Sequence, residues 1–460
     1  MKAKLKLLAA WLPLSALNPQ FSAALAQGSS APLITTFTNP TPADYDIFGG
    51  AVAAMGNDRV LVGAEGAAEA YLFSVNGVLL TTFTIPDPAA GSFGAAVASV
   101  GSDRALIGAY NYTAGVPLAQ AGRAYLLRTN GSLLTTFTNP SPATVQAFGY
   151  SVAAVGSDRV LIGTGGGGPF LFTTNGTLVT TFTKPSSGTF VNFGTSLAAV
   201  GNDRVLIGAA DDNTGAPGAG AAFLFRTNGT LLTTFTNPAP VADDNFGTSV
   251  AAVGSDRVLI SAIDYGGAKG SGGSAYLFNT NGTLITTFTN PSPAAYDYFG
   301  WSVAAVGSTR VLIGAYQDGT AAFQAGSAYL FSTNGALLNT FTNPTPAAQD
   351  WFAWSVAAVG SDQVLIGGVW DNTGAPRAGS AYLYALPYPP LSIARNASTL
   401  SLSWVTPETG MLLQQTDLLS TRPSWSDTTN SVSINGLTNL VQPTIANEIA
   451  KRFYRLRRPQ

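Results

Sequence analysis

Short apolar runs separated by glycine, asparagine and aspartate turns fill residues 33–385, and the whole pattern recurs seven times. The copy beginning at Phe299 is the clearest: FGWSVAAVGSTRVLIGA, a loop, then AGSAYLFSTNGALLNTFTNP. Its hydrophobic pattern predicts four strands, over 302–306, 310–315, 327–331 and 336–342. RVLIGA is a continuous apolar, β-branched run of the kind that is covered on both faces of a sheet. ALLNTFT partly alternates apolar and polar positions, as an outer strand with one wet face does. G-S-D-R joins the first pair of strands and T-N-G the second; Asn-Gly favours the positive φ of a tight hairpin.

Two landmarks set the period. An FG-type pair begins at Phe48, Phe93, Phe148, Phe193, Phe246, Phe299 and Phe352, in steps of 45, 55, 45, 53, 53 and 53 residues. An FT pair recurs at Phe37, Phe83, Phe137, Phe182, Phe235, Phe288 and Phe341. Repeats of this length holding several short strands predict an all-β propeller with seven four-stranded blades. The chain begins with an orphan fourth strand (33–38), and the seventh copy stops after its third (380–384). The first strand is therefore expected to complete the last blade and close the ring, leaving no sheet edge open there.

FGYSVAAVGSDRVLIGT (148–164) and AGSAYLF (325–331) resemble FG-GAP repeats, the blades of the integrin-α propeller, and the resemblance runs through residues 33–385. The calcium-binding members of that family carry a DxDxDG loop between strands one and two. Here that loop is G-S-D-R, with one Asp and too few oxygens for a 6–8-coordinate ion. The resemblance is thus to the calcium-free variety, and it implies neither metal nor other cofactor.

Composition narrows the chemistry. The 460 residues include no cysteine and no histidine, and only 10% are charged. Without histidine there is no Ser–His–Asp or Cys–His catalysis and no imidazole ligand for a metal. Residues 33–385 carry 12 basic and 20 acidic side chains, a balance unsuited to neutralising phosphates, so nucleic acid is not an expected partner.

The ends read differently. Lys2, Lys4 and Lys6, an apolar stretch over 7–17 and Ala24-Leu25-Ala26 form a secretory leader over 1–26, with Gln27 as the first mature residue. No later apolar run reaches the ~20 residues of a membrane-spanning helix. A stiff linker (386–390, containing Tyr388-Pro389-Pro390) leads to residues 391–460. Their Ser/Thr-rich strands and Asn435-Gly436 turn predict a small β-sandwich, loosely similar to fibronectin-III-like modules of secreted bacterial proteins. The basic end (Lys451, Arg452, Arg455, Arg457, Arg458) reads as a solvated strand or as a contact with anionic polymers.

In a four-stranded meander the two short turns share one face. The longer N-P-x-P segments and the loops between strands two and three share the other. Variable loops on a rigid scaffold suit binding. The position after FG faces the same way and reads Gly50, Ala95, Tyr150, Thr195, Thr248, Trp301 and Trp354. With Trp351, Trp370 and Tyr316, and near Asp318, Asp350 and Asp371, these aromatics are candidates to stack on a sugar ring or hold a protein loop. The same tryptophans also suit packing between blades. The expected role is non-catalytic binding of a carbohydrate or protein outside the cell.

Two alternatives remain open. A polysaccharide hydrolase would need paired carboxylates about 5–9.5 Å apart, for which Asp44, Asp46, Asp243, Asp244, Asp297 and Asp350 are available. A lyase would use a Tyr/Arg pair. The other alternative is a purely structural surface spacer. Asp211-Asp212-Asn213 and Asp371-Asn372 precede NTGAP and read as turns. So do the Asp-Arg pairs, and the N-x-S/T sites at Asn130, Asn175, Asn228 and Asn281. Gly165–Gly168 lacks the GK[ST] and helix of a phosphate loop.

Overall fold

The computed structural model describes residues 31–386 apart from 88–90, 111–121, 142–146, 166, 186–191, 268–269 and 271; beyond 386 it describes seven strand segments only. The expected leader (1–26), the linker residues 387–390, Gly166, and Lys451, Arg452 and Arg458 lie outside the described residues.

Residues 31–386 form seven four-stranded antiparallel sheets, the blades of a propeller. Strands A to D of the sixth blade are Phe299–Val306, Arg310–Ala315, Ser327–Ser332 and Leu337–Thr342. Strand A starts three residues earlier than the hydrophobic pattern predicts. Phe299 already pairs with Ala315, and a register shift between Phe299 and Ser302 absorbs the extra residues. In the seventh sheet, Phe352–Val359, Gln363–Gly368 and Ser380–Ala385 are joined by Leu33–Thr38, which pairs antiparallel with Ser380–Ala385. Blade seven touches blade one: Ser355 Oγ donates to the Gly49 carbonyl at 2.7 Å.

The repeated motifs act between blades more than within them. Strand B is buried after its first residue, and the glycine at its end, which is Ser261 in the fifth copy, meets the FG carbonyl of the next blade. A Cβ on Gly108 would stand 2.0 Å from the Gly149 oxygen. Gly149 itself has φ +91°, and a Cβ there would lie 2.1 Å from Arg123 O. No side chain fits either position. The seventh copy places Ala353 at this point, buried and at φ +69°, and nothing in the structure explains that exchange.

The Asp-Arg turns are inter-blade fasteners. Arg59, Arg104, Arg159, Arg204, Arg257 and Arg310 each donate to a turn carbonyl of the next blade: Ser102, Ser157, Asn202, Ser255, Ser308 and Ser361. The third residue of the outer strand does the same at the rim. Thr81 Oγ1, for example, donates to Thr129 O at 2.5 Å and Thr233 Oγ1 to Thr280 O at 2.7 Å. In the first six blades the two short turns are bonded together, as Thr280 N is to Asp256 O at 2.8 Å. They therefore share one face and leave the long loops on the other.

Residues 387–460 belong to a separate compact unit. One sheet there holds Ser392–Asn396, Thr399–Val405, Thr438–Val441 and Ser433–Asn435; the other holds Ser426–Asp427, Leu412–Thr416 and Phe453–Arg457. No helix among the described residues is long and apolar enough to cross a membrane.

Candidate functional site

Residues at up to three positions per blade build the mouth of the ring on the long-loop face. The first is the position after FG. The second is the residue before FG: Ile47, Ser92, Ala147, Asn192, Asn245, Tyr298 and Trp351. In all seven blades the N–H of the former donates to the carbonyl of the latter, at 3.0–3.4 Å. This tight turn sets both side chains on one rim. It forces positive φ on bulky residues, including Ile47 (57°), Tyr298 (54°) and Trp351 (50°). Backbone conformations this costly gather where a site must be held open. The third residue follows strand B, as Glu65, Tyr110 and Ala210 do.

These positions enclose an axial cavity of about 820 Å³, to which all seven blades contribute. Between the A strands lies a second space of about 270 Å³. The cavity walls are unlike. On blades six and seven they are aromatic: Trp301 and Trp354 lie 4.8 Å apart between ring centres, and Trp351 stacks on Trp354 at 5.5 Å and on Trp370 at 3.3 Å. On the neighbouring blades four and five the wall is polar. Asp211 accepts from Asn192 Nδ2 at 2.7 Å and from Asn245 Nδ2 at 2.9 Å.

Of the residues expected at the site, Trp301, Trp351, Trp354 and Trp370 do come together, each half-buried. Tyr316 is buried behind them, 4.8 Å from Trp301 and 4.9 Å from Trp354, and Tyr298 stacks on it at 5.4 Å. Tyr150 stands apart from the tryptophans, exposed in the cavity wall and 5.2 Å from Tyr110. On the far side of the tryptophans the Arg377 guanidinium lies 4.2 Å over Trp370 and 5.0 Å over Tyr45.

The aspartates are placed otherwise than expected. Asp46, Asp244, Asp297 and Asp350 are buried. Each accepts from the N-P-x-P asparagine seven residues earlier (Asn39, Asn237, Asn290, Asn343) at 2.7–2.8 Å. Each also accepts from the backbone N–H three residues before it. Asp318 and Asp371 are buried as well and accept from the Tyr329 and Tyr382 hydroxyls. These carboxylates brace the loops that carry the aromatics; they do not line the cavity.

Burial pushes Asp297 and Asp350 up to about 6, aided by the neighbouring Asp318 and Asp371 and opposed by the hydrogen bonds just described. A carboxyl whose folded pKa exceeds its unfolded value of about 3.9 binds its proton more tightly when folded. Their contribution to stability therefore grows as pH falls through 6 towards 4. The melting temperature is expected to rise by a few degrees between pH 7.5 and pH 5. The D297N/D350N double variant should flatten that rise; an unchanged slope would refute the assignment.

Burial also raises the phenols of Tyr110, Tyr298 and Tyr316 above their ordinary value. They remain protonated donors at neutral pH, the opposite of what a lyase base requires.

The residues before FG and after strand B carry no repeated motif, which is why the pattern alone does not single them out. Only Asn192 and Asn245, amides at equivalent places in adjacent copies, offer a signal.

Residues 284–331 and 339–384, which span the sixth blade and most of the seventh, match the model of the FG-GAP repeat. The chain matches no curated protein.

Proposed function

We propose that this FG-GAP-repeat propeller is a non-catalytic binding protein that works outside the cell and seats a carbohydrate or protein ligand in its axial mouth. The observation that carries the reading is the cavity itself, with stacked tryptophans on one wall and an Asn–Asp–Asn cluster on the other. Pockets of about 300–1,000 Å³ lined by aromatics and a few placed polar groups are the usual form of ligand sites. Asp46, Asp244, Asp297 and Asp350, four of the six acids available for hydrolysis, are engaged in loop bracing, and the Tyr110 phenol in the cavity wall is held protonated. The lysine-rich leader supports export, the shortened G-S-D-R turn supports binding without calcium, and the two C-terminal sheets are read as a small sandwich.

The test is binding of the mature chain, 27–460, to a broad array of glycans and extracellular proteins, with and without chelator. Binding should survive chelation. The W301A/W354A variant should bind at least tenfold more weakly without loss of folding. Retained binding in that variant would exclude this site.

A second reading, a structural spacer, has its own observation. Each of the seven outer strands exposes a pair of aliphatic side chains, from Leu33 and Ile34 to Leu337 and Leu338. This uncharged belt is a surface suited to association. Concentration-dependent assembly with no ligand on any array would favour it.

A further inference from the structure

The binding reading can be taken to a ligand class on which it does not itself depend: we propose that the mouth takes the end of a neutral saccharide chain and rejects anionic sugars.

The walls argue for a sugar. A pyranose presents apolar C–H faces and a rim of hydroxyls, and it needs a flat aromatic surface with hydrogen-bonding groups beside it. Trp301 and Trp354 supply the surface, and Asn192, Asp211 and Asn245 the groups.

Charge points the same way. Glu65 and Asp211 line the cavity, and no lysine or arginine does. An anion entering would meet like charge without a counter-ion, a juxtaposition that opposes binding. The cavity is walled by all seven blades, so it admits a chain end and not the middle of a polymer.

The experiment titrates the mature chain with neutral oligosaccharides and with their uronate and sulfated counterparts, following tryptophan emission. Two variants accompany it. W354A removes a stacking surface. T248W fills the cavity with the residue that blades six and seven already carry at that position, so the fold tolerates it.

Neutral oligosaccharides are expected to bind and to shift the emission. Each variant should weaken binding at least tenfold, T248W at an unchanged melting temperature and W354A while still folded, and the anionic series should bind at least tenfold more weakly. Equal binding of both series would overturn the selectivity. Glycan binding untouched by T248W and W354A would overturn the site while leaving the binding function standing. A protein ligand blocked by T248W, with no glycan bound, would overturn the sugar and keep the mouth. No ligand of any kind would remove the binding reading as well.

Discussion

Replacing Phe37 by alanine is expected to destabilise the propeller by about 3–5 kcal/mol, the cost of truncating a buried phenylalanine. Phe37 sits near the start of the chain, where truncations are ordinarily tolerated. Here its strand pairs with blade seven, with Phe37 opposite Ala381. Its ring is 2% exposed and packs 5.3 Å from Phe73 of blade one. The same contact recurs at the other rim junctions: Phe137 lies 5.3 Å from Phe172 between blades two and three, and Phe288 5.4 Å from Phe331 between five and six. Thr35 of the same strand adds the rim fastener, donating to Val75 O at 2.7 Å. This junction has more need of it, because Gln363 stands where the other copies have the fastening arginine. Denaturant unfolding of F37A and F137A decides the matter. Similar losses are expected; a silent F37A beside a costly F137A would show that the first strand does not complete the ring.

Replacing Lys184 by methionine is expected to cost a comparable 3–5 kcal/mol, because it leaves a buried carboxylate without its counter-charge. Lys184 occupies the N-P-x-P asparagine position. Its Nζ is 2.9 Å from Asp212 Oδ2, with 10% of the lysine side chain and 2% of the aspartate exposed. In the seventh blade that work is divided: Asn343 donates to both Asp350 and Asp371. One cation in the fourth blade thus replaces the amide-and-acid arrangement used elsewhere. The D212N change should recover much of the loss in the K184M background, since a neutral amide needs no counter-charge. If K184M alone is neutral, the pair does not brace the loop.

Much of the fold was legible because a blade is a local object. The period of the FG and FT landmarks, the apolar RVLIGA run and the Asn-Gly turns specify a four-stranded meander over about 50 residues, and strand and turn preferences act over that range. Even the irregularities are informative. Asn339 interrupts LLTTFT in the sixth copy, the one followed by a blade with no Asn-Gly hairpin between its third and fourth strands for a rim threonine to grasp.

The candidate site was legible in part. Trp301 and Trp354 stand at a repeated position, so their shared rim followed from the register. The role of Asn192, Asp211 and Asn245 did not, because two copies must be placed side by side before their amides meet one carboxylate. Asp350 and its equivalents looked available beside FG and are instead enclosed by their own loops.

By itself the sequence determined the blade, its number and the face that carries the long loops, because hydrophobic period and turn chemistry are properties of neighbouring residues. The tertiary structure alone decided which arginines and threonines fasten one blade to the next, which aspartates are buried, and that an aromatic and a polar wall adjoin in one cavity. Those outcomes depend on partners that are distant in the chain, most of them about fifty residues away, and the ring is what brings them within hydrogen-bonding or stacking distance.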